Sequence, residues 1–597
     1  MSSSPGNNNN NRQYQAVNVF QQSPSTTTPV MILPPSPCDT TDEYTALLGS
    51  NERDSPFNGS FIRRIPWSTI LRSQPVSLLP TIAVGSFIWF CTPASDELTP
   101  TAIRILAVFV SCIFALITTS VDISILVLTG LTLLSLTHSF QCVDKSTGLS
   151  TECRLCGEAN PLTGDPYKCH GAKESFHHSL EGFSSSVVWL IFAAFHLGKA
   201  VEVTQLGRRV SLLMIKMFGK RTMGLAYAIV FSEILLAPFV PSNTARGGGI
   251  IHPVVHAIAT TLGSTPTHDS KIGAFLMLVG NHSNLISASM YLTGMAANPI
   301  VLSKSSQLYD GVNFDFLTWL SGSIVPGLVC ALALPIILSW SVGLSSNSKK
   351  RNDEEEGGGS TGSGISNSTT KFPNDGIVKH AETELERMGT MSGKEWQLCF
   401  VLLTCLSLWV TSSYTKLDAT LVALLGIIAL LHMGTLSWKD ISKNTNAWDT
   451  LIWLSGFVTM AHQLSEAGAS KYIGDKVSNA IEELGLPPVP FLAVAYFLTT
   501  FMFSSLSAHI VAFVGTFLDA GHALGAQPMI LVAFIAYFGA LGGCMTNYST
   551  GMAAMYYASG YVSRAKWFII GFQLALFYLV IYFTVGMGWW RVLGWWD

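Results

Sequence analysis

The sequence predicts an all-α polytopic membrane protein, and three observations carry that reading. Only 12% of the 597 residues are charged, about half the share of a soluble globular chain. Those charges are crowded, with nine in residues 1–65 and sixteen in 341–395, so long stretches hold almost none. Apolar runs long enough to cross a hydrocarbon core of ~30 Å recur through the remainder. A water-soluble enzyme is excluded, and a formal net charge of −3 gives no basic field for nucleic acid. The fifteen Trp and sixteen Tyr suit interfacial belts. Trp67, Trp89, Trp589, Trp590, Trp595 and Trp596 stand near expected span ends, where ordinary packing explains them equally well.

Residues 1–65 read as a disordered cytosolic tail, with an Asn run at 7–10, Ser/Thr clusters and no apolar stretch long enough for a signal peptide. Its acids from Asp39 onward and its scarcity of Arg before residue 53 differ from a transit peptide. Glu43-Tyr-Thr-Ala-Leu47-Leu48 has the form of an acidic dileucine sorting signal, a pattern that chance also produces. Clean apolar runs follow at 77–94, 102–119, 122–140, 184–200, 316–340, 396–413, 418–434, 449–466 and 566–588. Three more regions, 222–262, 272–302 and 490–560, are apolar but crowded with Gly, Pro, Ser, Thr and Asn. Irregular backbone at membrane depth survives only when buried or lining a wet cavity, so function belongs in these interrupted regions.

Lys and Arg set the orientation. They gather at 63–72, at 199–221, at Lys349-Lys350-Arg351 and at Arg564 and Lys566, whereas 141–180 holds four Lys/Arg against five acids. Placing the basic segments inside puts 141–180 outside and gives eleven spans with an outside C-terminus. The expected organisation is scaffold spans at 66–140, an exoplasmic loop at 141–180, a first repeat at 181–302 and a scaffold span at 303–340. A disordered cytosolic linker at 341–395 comes next, then scaffold spans at 396–440, a second repeat at 441–562 and a last span at 563–597. The loop holds Cys142, Cys153, Cys156 and Cys169, which read as two disulfides of open connectivity or as a zinc site helped by His170, His177 and His178. Disulfides require an exoplasmic compartment, favouring a vacuolar, endomembrane or plasma membrane over a plastid envelope.

The region 187–300 resembles 451–560. Trp189-Leu-Ile-Phe-Ala-Ala-Phe aligns with Trp453-Leu-Ser-Gly-Phe-Val-Thr, and each is followed by an amphipathic stretch ending at Gly219 or Gly485. Pro241-Ser242-Asn243-Thr244-Ala245-Arg246 then matches Ser504-Ser505-Leu506-Ser507-Ala508-His509 in place, and each half closes on a broken span, at 292–299 and 545–552. The orientation makes the repeat inverted. Inverted repeats with matching Gly/Pro interruptions are a transporter signature, with the ligand at the repeat interface.

A helix broken at Ser242-Asn243-Thr244 offers backbone N–H groups, two hydroxyls and an amide near mid-membrane, a ready anion site. With Ser505 and Ser507 in matching places, the two tips suit the two ends of a dicarboxylate. Arg246 and His509 follow one Ala later in each half and are the expected charge partners of its carboxylates. A site that stayed positive when empty would favour exchange over net uptake. Glu233 and Asp519 are the other charges close to these tips. Thr293, Asn298, Thr546, Asn547 and Thr550 are expected to line the unwound helices, and no cofactor or metal site is expected.

These residues resemble the divalent anion/sodium symporter family, its exchanger branch most: bacterial citrate/succinate and tartrate/succinate antiporters and plastid 2-oxoglutarate/malate translocators. The matching text is Pro241 to Arg246, Phe503 to His509, and Tyr548-Ser-Thr-Gly551 running on to Tyr561, within a similarity over about 70–597. The resemblance implies an inverted-repeat transporter with about eleven spans and two re-entrant hairpins, a homodimer, and elevator-type alternating access. Sodium-coupled members carry Ser-Asn-Thr at both tips. Here the second reads Ser505-Leu506-Ser507, which favours an exchanger of malate, succinate, 2-oxoglutarate or citrate-like anions over a sodium-coupled symporter of the same fold. A membrane enzyme lacks any metal motif, nucleophile elbow or Walker loop to support it, and a receptor on the same fold would bind without translocating.

Overall fold

The computed structural model describes residues 78–344 and 374–596, apart from 96, 120, 161–163, 267–270, 310, 311 and 313. The tail 1–65 with its dileucine pattern, and Trp67, lie outside the described residues. Helix α1, Leu79–Cys91, and helix α2, Pro100–Thr118, both open with Pro in the first turn, where no N–H is needed, and Thr99 caps α2 through the Ala102 N–H. After α3, Ile123–Leu136, the chain leaves the helices for a small stapled loop.

In that loop strands β1, Gln141–Val143, and β2, Ser150–Glu152, pair antiparallel. The four cysteines take the disulfide alternative, as Cys142–Cys153 and Cys156–Cys169. Asp144, almost fully buried, accepts from the Ser146 and Lys168 N–H groups and from the Ser146 and Thr147 hydroxyls. Burial alone would raise its carboxyl, and those bonds hold it well below the usual range instead. Helix α4, Gly171–Ser179, completes the loop. The Thr101 N–H donates to Glu152 (3.2 Å), and the Gly182 N–H donates to Thr459 Oγ1 (2.9 Å), so the loop is bonded to two separate helices.

The next elements are α5, Ser186–Val203, α6, Leu206–Phe218, α7, Thr222–Leu236, a segment of wide turns at Thr244–Ile251, α8, His252–Thr261, α9, Lys271–Met290, and α10, Asn298–Leu308. A long helix α11, Phe316–Ser341, precedes α12, Asn374–Met388, α13, Gly393–Val410, and α14, Ala419–His432. Then the earlier order returns: α15, Thr445–Glu466, α16, Ala469–Glu483, α17, Pro488–Thr499, α18, Leu506–Ala523, α19, Pro528–Leu541, and α20, Gly551–Ala558. Both runs turn from their first to their second helix on a left-handed residue, Gln205 (φ 61°) and Gly468 (φ 83°). Helices α9 and α19 hold the centre of the core, with every residue from Gly273 to Met290 and from Ile530 to Leu541 buried. The chain ends with α21, Arg564–Ile581, and α22, Met587–Val592.

Among the described residues, four helical stretches are singly long and apolar enough to cross a membrane: Ser186–Val203, Phe316–Ser341, Pro528–Met545 and Arg564–Val592. A fifth would be the pair α16–α17, bent by 118°. Helices α1, α3, α7 and α14 are apolar but only 13 to 15 residues long, ~20 Å at 1.5 Å per residue. The terminal Trp residues serve packing rather than an open belt, since Trp589 and Trp590 donate to the Ser321 and Gly322 carbonyls of α11 (2.7 and 2.9 Å).

One expectation is corrected. The disordered linker was drawn to residue 395, yet 374–388 form α12. Ile377, Ala381 and Leu385 recur every four residues and give it an apolar stripe, with Ile377 and Ala381 buried. Arg208 reaches Glu384 (2.8 Å) and Lys216 reaches Glu382 (3.4 Å), which fastens α12 to α6. Beside them the buried Arg209 holds Glu395 through two bonds (2.6 and 3.2 Å).

Candidate functional site

The first break begins where α7 runs into Pro238 and Pro241, which cannot donate to a helical ladder. Ser242 Oγ accepts from the Ala245 N–H (3.2 Å) and starts the wide-turned segment. Asn243 is 7% exposed, and neither its Oδ1 nor its Nδ2 has a partner. Three glycines let this tip lie close against α20. A Cβ at Gly551 would stand 3.0 Å from Thr244 Oγ1, and one at Gly247 or Gly248 would stand 2.3 or 2.5 Å from the sulfur of Met552 or Met555. On α9 the Asn284 amide donates to Glu233 Oε2 (3.0 Å) and reaches the Asn243 carbonyl (3.5 Å). Asn281, Asn284 and Ser287, three residues apart, share one face of α9. The Asn284 Oδ1 and both amide atoms of Asn281 lack partners, as does the Tyr556 hydroxyl, which faces Gly280.

Arg246 is corrected from charge partner to brace. Its side chain is fully buried, and its Nε donates to Glu233 Oε2 (2.7 Å) in an ion pair with no exposure on either side. Its Nη1 donates to the carbonyls of Val240 and Gly294, and its Nη2 to Ser287 Oγ. The guanidinium therefore ties the break before the tip to the break after α9, and its charge is already met by Glu233. Its charge is thus paired within the protein, which weakens the electrostatic case for exchange.

Among the described residues His509 has no ion pair of this kind, and its buried Nδ1 has no partner. It is buried among the rings of Tyr496, Phe503 and Phe513, with centroids 4.6, 5.3 and 5.7 Å away, and its Nε2 lies 2.9 Å from Thr499 Oγ1. The other ion-pair candidate, Asp519, stands 3.9 Å from Lys304. Ser505 caps α18, its Oγ accepting from the Ala508 N–H (3.3 Å), and Ser507 lies half-buried in the next turn. The second tip packs against Gly543, which Leu285 of α9 also approaches. Leu506 of this tip and Leu285 of α9 stand 3.1 and 3.3 Å from where a Cβ on Gly543 would be, one residue along from Asn284.

The residues expected along the unwound helices divide. Thr293 donates to the Pro238 carbonyl (2.8 Å), and Asn298 donates to those of Ala288 and Tyr291 (2.9 and 3.0 Å), so both satisfy freed backbone. Thr550 caps α20 through the Ala553 N–H. Thr546 Oγ1 and Asn547 Oδ1 have no partner. Sequence reasoning missed Asn281, Asn284, Ser287 and Tyr556. Their signal was polar residues at helical spacing inside the apolar run 272–290.

A separate cavity of about 600 Å³ opens between α2, α15 and α18. Phe109, Phe457, Val511 and Phe513 give it apolar walls, and none of the expected ligand residues lines it. Glu181 lies at its edge and takes bonds from His178 and from Gln463 Nε2 (2.8 Å), and His462 Nδ1 stands 3.6 Å from it. Burial alone would raise this carboxyl, but those partners hold it below its ordinary range.

A family model described as the sodium:sulfate symporter transmembrane region matches residues 72–596. The chain belongs to that family. Membership makes it an integral membrane transporter rather than an enzyme. Among curated relatives of the sodium:sulfate symporter family, the provisionally named malate transporter YflS of Bacillus subtilis is 32% identical over 524 residues, covering 87% of this chain and 97% of its own. The citrate/succinate antiporter of Escherichia coli (strain K12) is 31% identical over 527 residues, 87% of this chain and 98% of its own. The chloroplastic dicarboxylate transporter 1 of Arabidopsis thaliana is 30% identical over 524 residues, 87% and 83%.

Proposed function

We propose that this chain exchanges dicarboxylates such as malate, succinate, 2-oxoglutarate or citrate-like anions across a membrane. The observation that carries the reading is a set of unpartnered buried groups at the two breaks: the Asn243 amide with the Asn281 amide and Asn284 Oδ1 on α9 in the first half, and Thr546 Oγ1 and Asn547 Oδ1 in the second. Groups denied both water and protein partners are costly unless a ligand supplies the bonds. Short amides and hydroxyls bind carboxylates without adding charge. Ser242, Asn243 and Thr244 hold one carboxylate, Ser505 and Ser507 the other, and Thr546, Asn547 and Thr550 lie beside them. The names of the malate, citrate/succinate and dicarboxylate relatives support that substrate class.

The recurring order of elements from α5 to α10 and from α15 to α20 supports an inverted repeat, with eleven spans once the short and broken helices are counted. The 118° bend between α16 and α17 and the break before Thr244 support re-entrant hairpins. Elevator-type movement of a transport unit along a scaffold, in a homodimer, completes the proposal. The two disulfides favour a vacuolar, endomembrane or plasma membrane.

A second reading, a sodium-coupled symporter of the same anions, is favoured by the neutral Arg246–Glu233 pair and by the family's description. Uptake of labelled malate into proteoliposomes, preloaded or empty and with or without sodium, separates the two. Uptake that needs internal malate and ignores sodium supports exchange. Sodium-driven uptake into empty vesicles replaces it with symport, and no uptake in either setting refutes malate transport.

A further inference from the structure

We propose that Glu233 is a proton site linked to the substrate, so that each bound dianion brings one proton onto Glu233 Oε1. This rests on the dicarboxylate reading above. The two oxygens of the carboxylate are not equivalent. Oε2 accepts from Arg246 Nε (2.7 Å), Asn284 Nδ2 (3.0 Å) and Ser287 Oγ (3.4 Å), whereas Oε1 is buried and has no partner. A proton on Oε1 therefore breaks none of the bonds that hold the carboxylate in place.

The need for that proton follows from charge. With the site empty the buried pair sums to zero, and Arg246 lies two residues beyond Thr244, inside the tip that carries the unpartnered Asn243 amide. A dianion entering there would add two uncompensated charges to a region shielded from water. Protonating Oε1 leaves the buried Arg246–Glu233 pair with one net positive charge beside the tip, and the braces of Arg246 to Val240, Gly294 and Ser287 are unchanged. The groups that α9 turns towards Glu233, Asn284 and Ser287, are neutral. From α20 the titratable neighbour is Tyr556, whose ring packs on His252 of α8 at 4.7 Å. Arg246 is thus the charge that sets whether Glu233 holds its proton. By linkage, protonation and dianion binding strengthen one another by the same factor, in exchange and in symport alike.

Calorimetry of malate and succinate binding to the full chain in nanodiscs, repeated in buffers of different ionisation heat, counts the protons taken up. At about pH 7.5 a dicarboxylic acid is fully ionised, so protons taken up go to the protein. The expected count is about one per dianion, with the dissociation constant falling about tenfold per unit drop in pH. In Glu233→Gln the count falls towards zero. In His509→Gln, which alters a buried titratable side chain at the second tip, it stays near one. Binding with no proton uptake by the wild-type chain overturns the proposal even if Glu233→Gln fails to fold, and so does loss of uptake in His509→Gln alone. Absence of binding by either acid overturns the dicarboxylate reading beneath it, a failure distinct from binding without protons.

Discussion

Replacing Arg246 by Met tests whether that cation is a brace or a ligand. Both members of the Arg246–Glu233 pair are fully buried, so removing the guanidinium leaves a carboxylate with no counter-charge and no water. Breaking such a pair costs about 3–5 kcal/mol. The Val240 and Gly294 carbonyls lose their donor as well, at about 1–3 kcal/mol each where no water enters, a cost that overlaps the first. A loss near 5 kcal/mol approaches the whole stability of many domains. Adding Glu233→Gln removes the orphaned charge and is expected to recover about 2–4 kcal/mol of it, a coupling that a double-mutant cycle isolates. Thermal unfolding in one detergent at one protein concentration should therefore rank wild type above the double variant, and the double variant above Arg246→Met. The brace is refuted if Arg246→Met melts with the wild type while malate affinity falls a hundredfold. Arg246 would then face the substrate, as its place beside the tip first indicated.

Asn243→Ala removes an amide with no protein partner, so folding should be unchanged while malate binding weakens about ten- to a hundredfold, the worth of one or two bonds to a charged ligand. Asn298→Ala should do the reverse in the same two measurements, costing about 1–3 kcal/mol through the Ala288 and Tyr291 carbonyls and leaving affinity alone. Gly247→Ala sets a Cβ 2.3 Å from Met552 and 2.8 Å from Asn284, so about 1–3 kcal/mol of overpacking should push the tip off α20 and lower uptake. Gly249→Ala, with nothing within 4 Å, is its neutral control. The Glu181 carboxyl lies below its ordinary value in the folded chain, so its contribution is present above about pH 4.5 and is lost as pH falls below that. Hydrogen exchange in 171–185, corrected for its intrinsic rate, should quicken as pH falls below about 4.5, and Glu181→Gln should abolish that acid-side dependence.

The positions of the breaks were legible because Pro238, Pro241 and the Ser-Asn-Thr run interrupt apolar sequence where no helix continues. The partners of each side chain were not. Arg246 and His509 look alike in sequence, each one Ala past a polar motif, yet Glu233 takes the first and an aromatic cage the second. Glu233 lies on another helix thirteen residues away, and no local periodicity reveals that α7 and the tip meet. Helix α12 was hidden for a different reason. Its stripe of Ile377, Ala381 and Leu385 lies within a segment whose charge and Gly/Ser content read as linker, and only α6, with Arg208 and Lys216, gives that stripe a surface to cover.

The two tips are unequal, and that bears on which of them senses the ligand. The first presents an unpartnered amide on a segment whose turns are already widened and whose ends Arg246 ties to a second break. The second spends its Ser505 hydroxyl on capping α18 and buries His509 against Thr499 and three rings. Ser242 and Ser505 cap their segments alike and each keeps its O–H free to donate, so what sets the first tip apart is the Asn243 amide, which a ligand can satisfy without displacing any protein bond. The first tip gains more from being filled, and its brace runs directly to Gly294. On the proposed reading, occupancy of the first tip would reach the break after α9 through the Arg246–Gly294 bond. Substitutions at Asn243 should accordingly alter affinity, while those at Ser505 should act first on the stability of α18, where Ser505→Ala loses a cap worth about 1 kcal/mol.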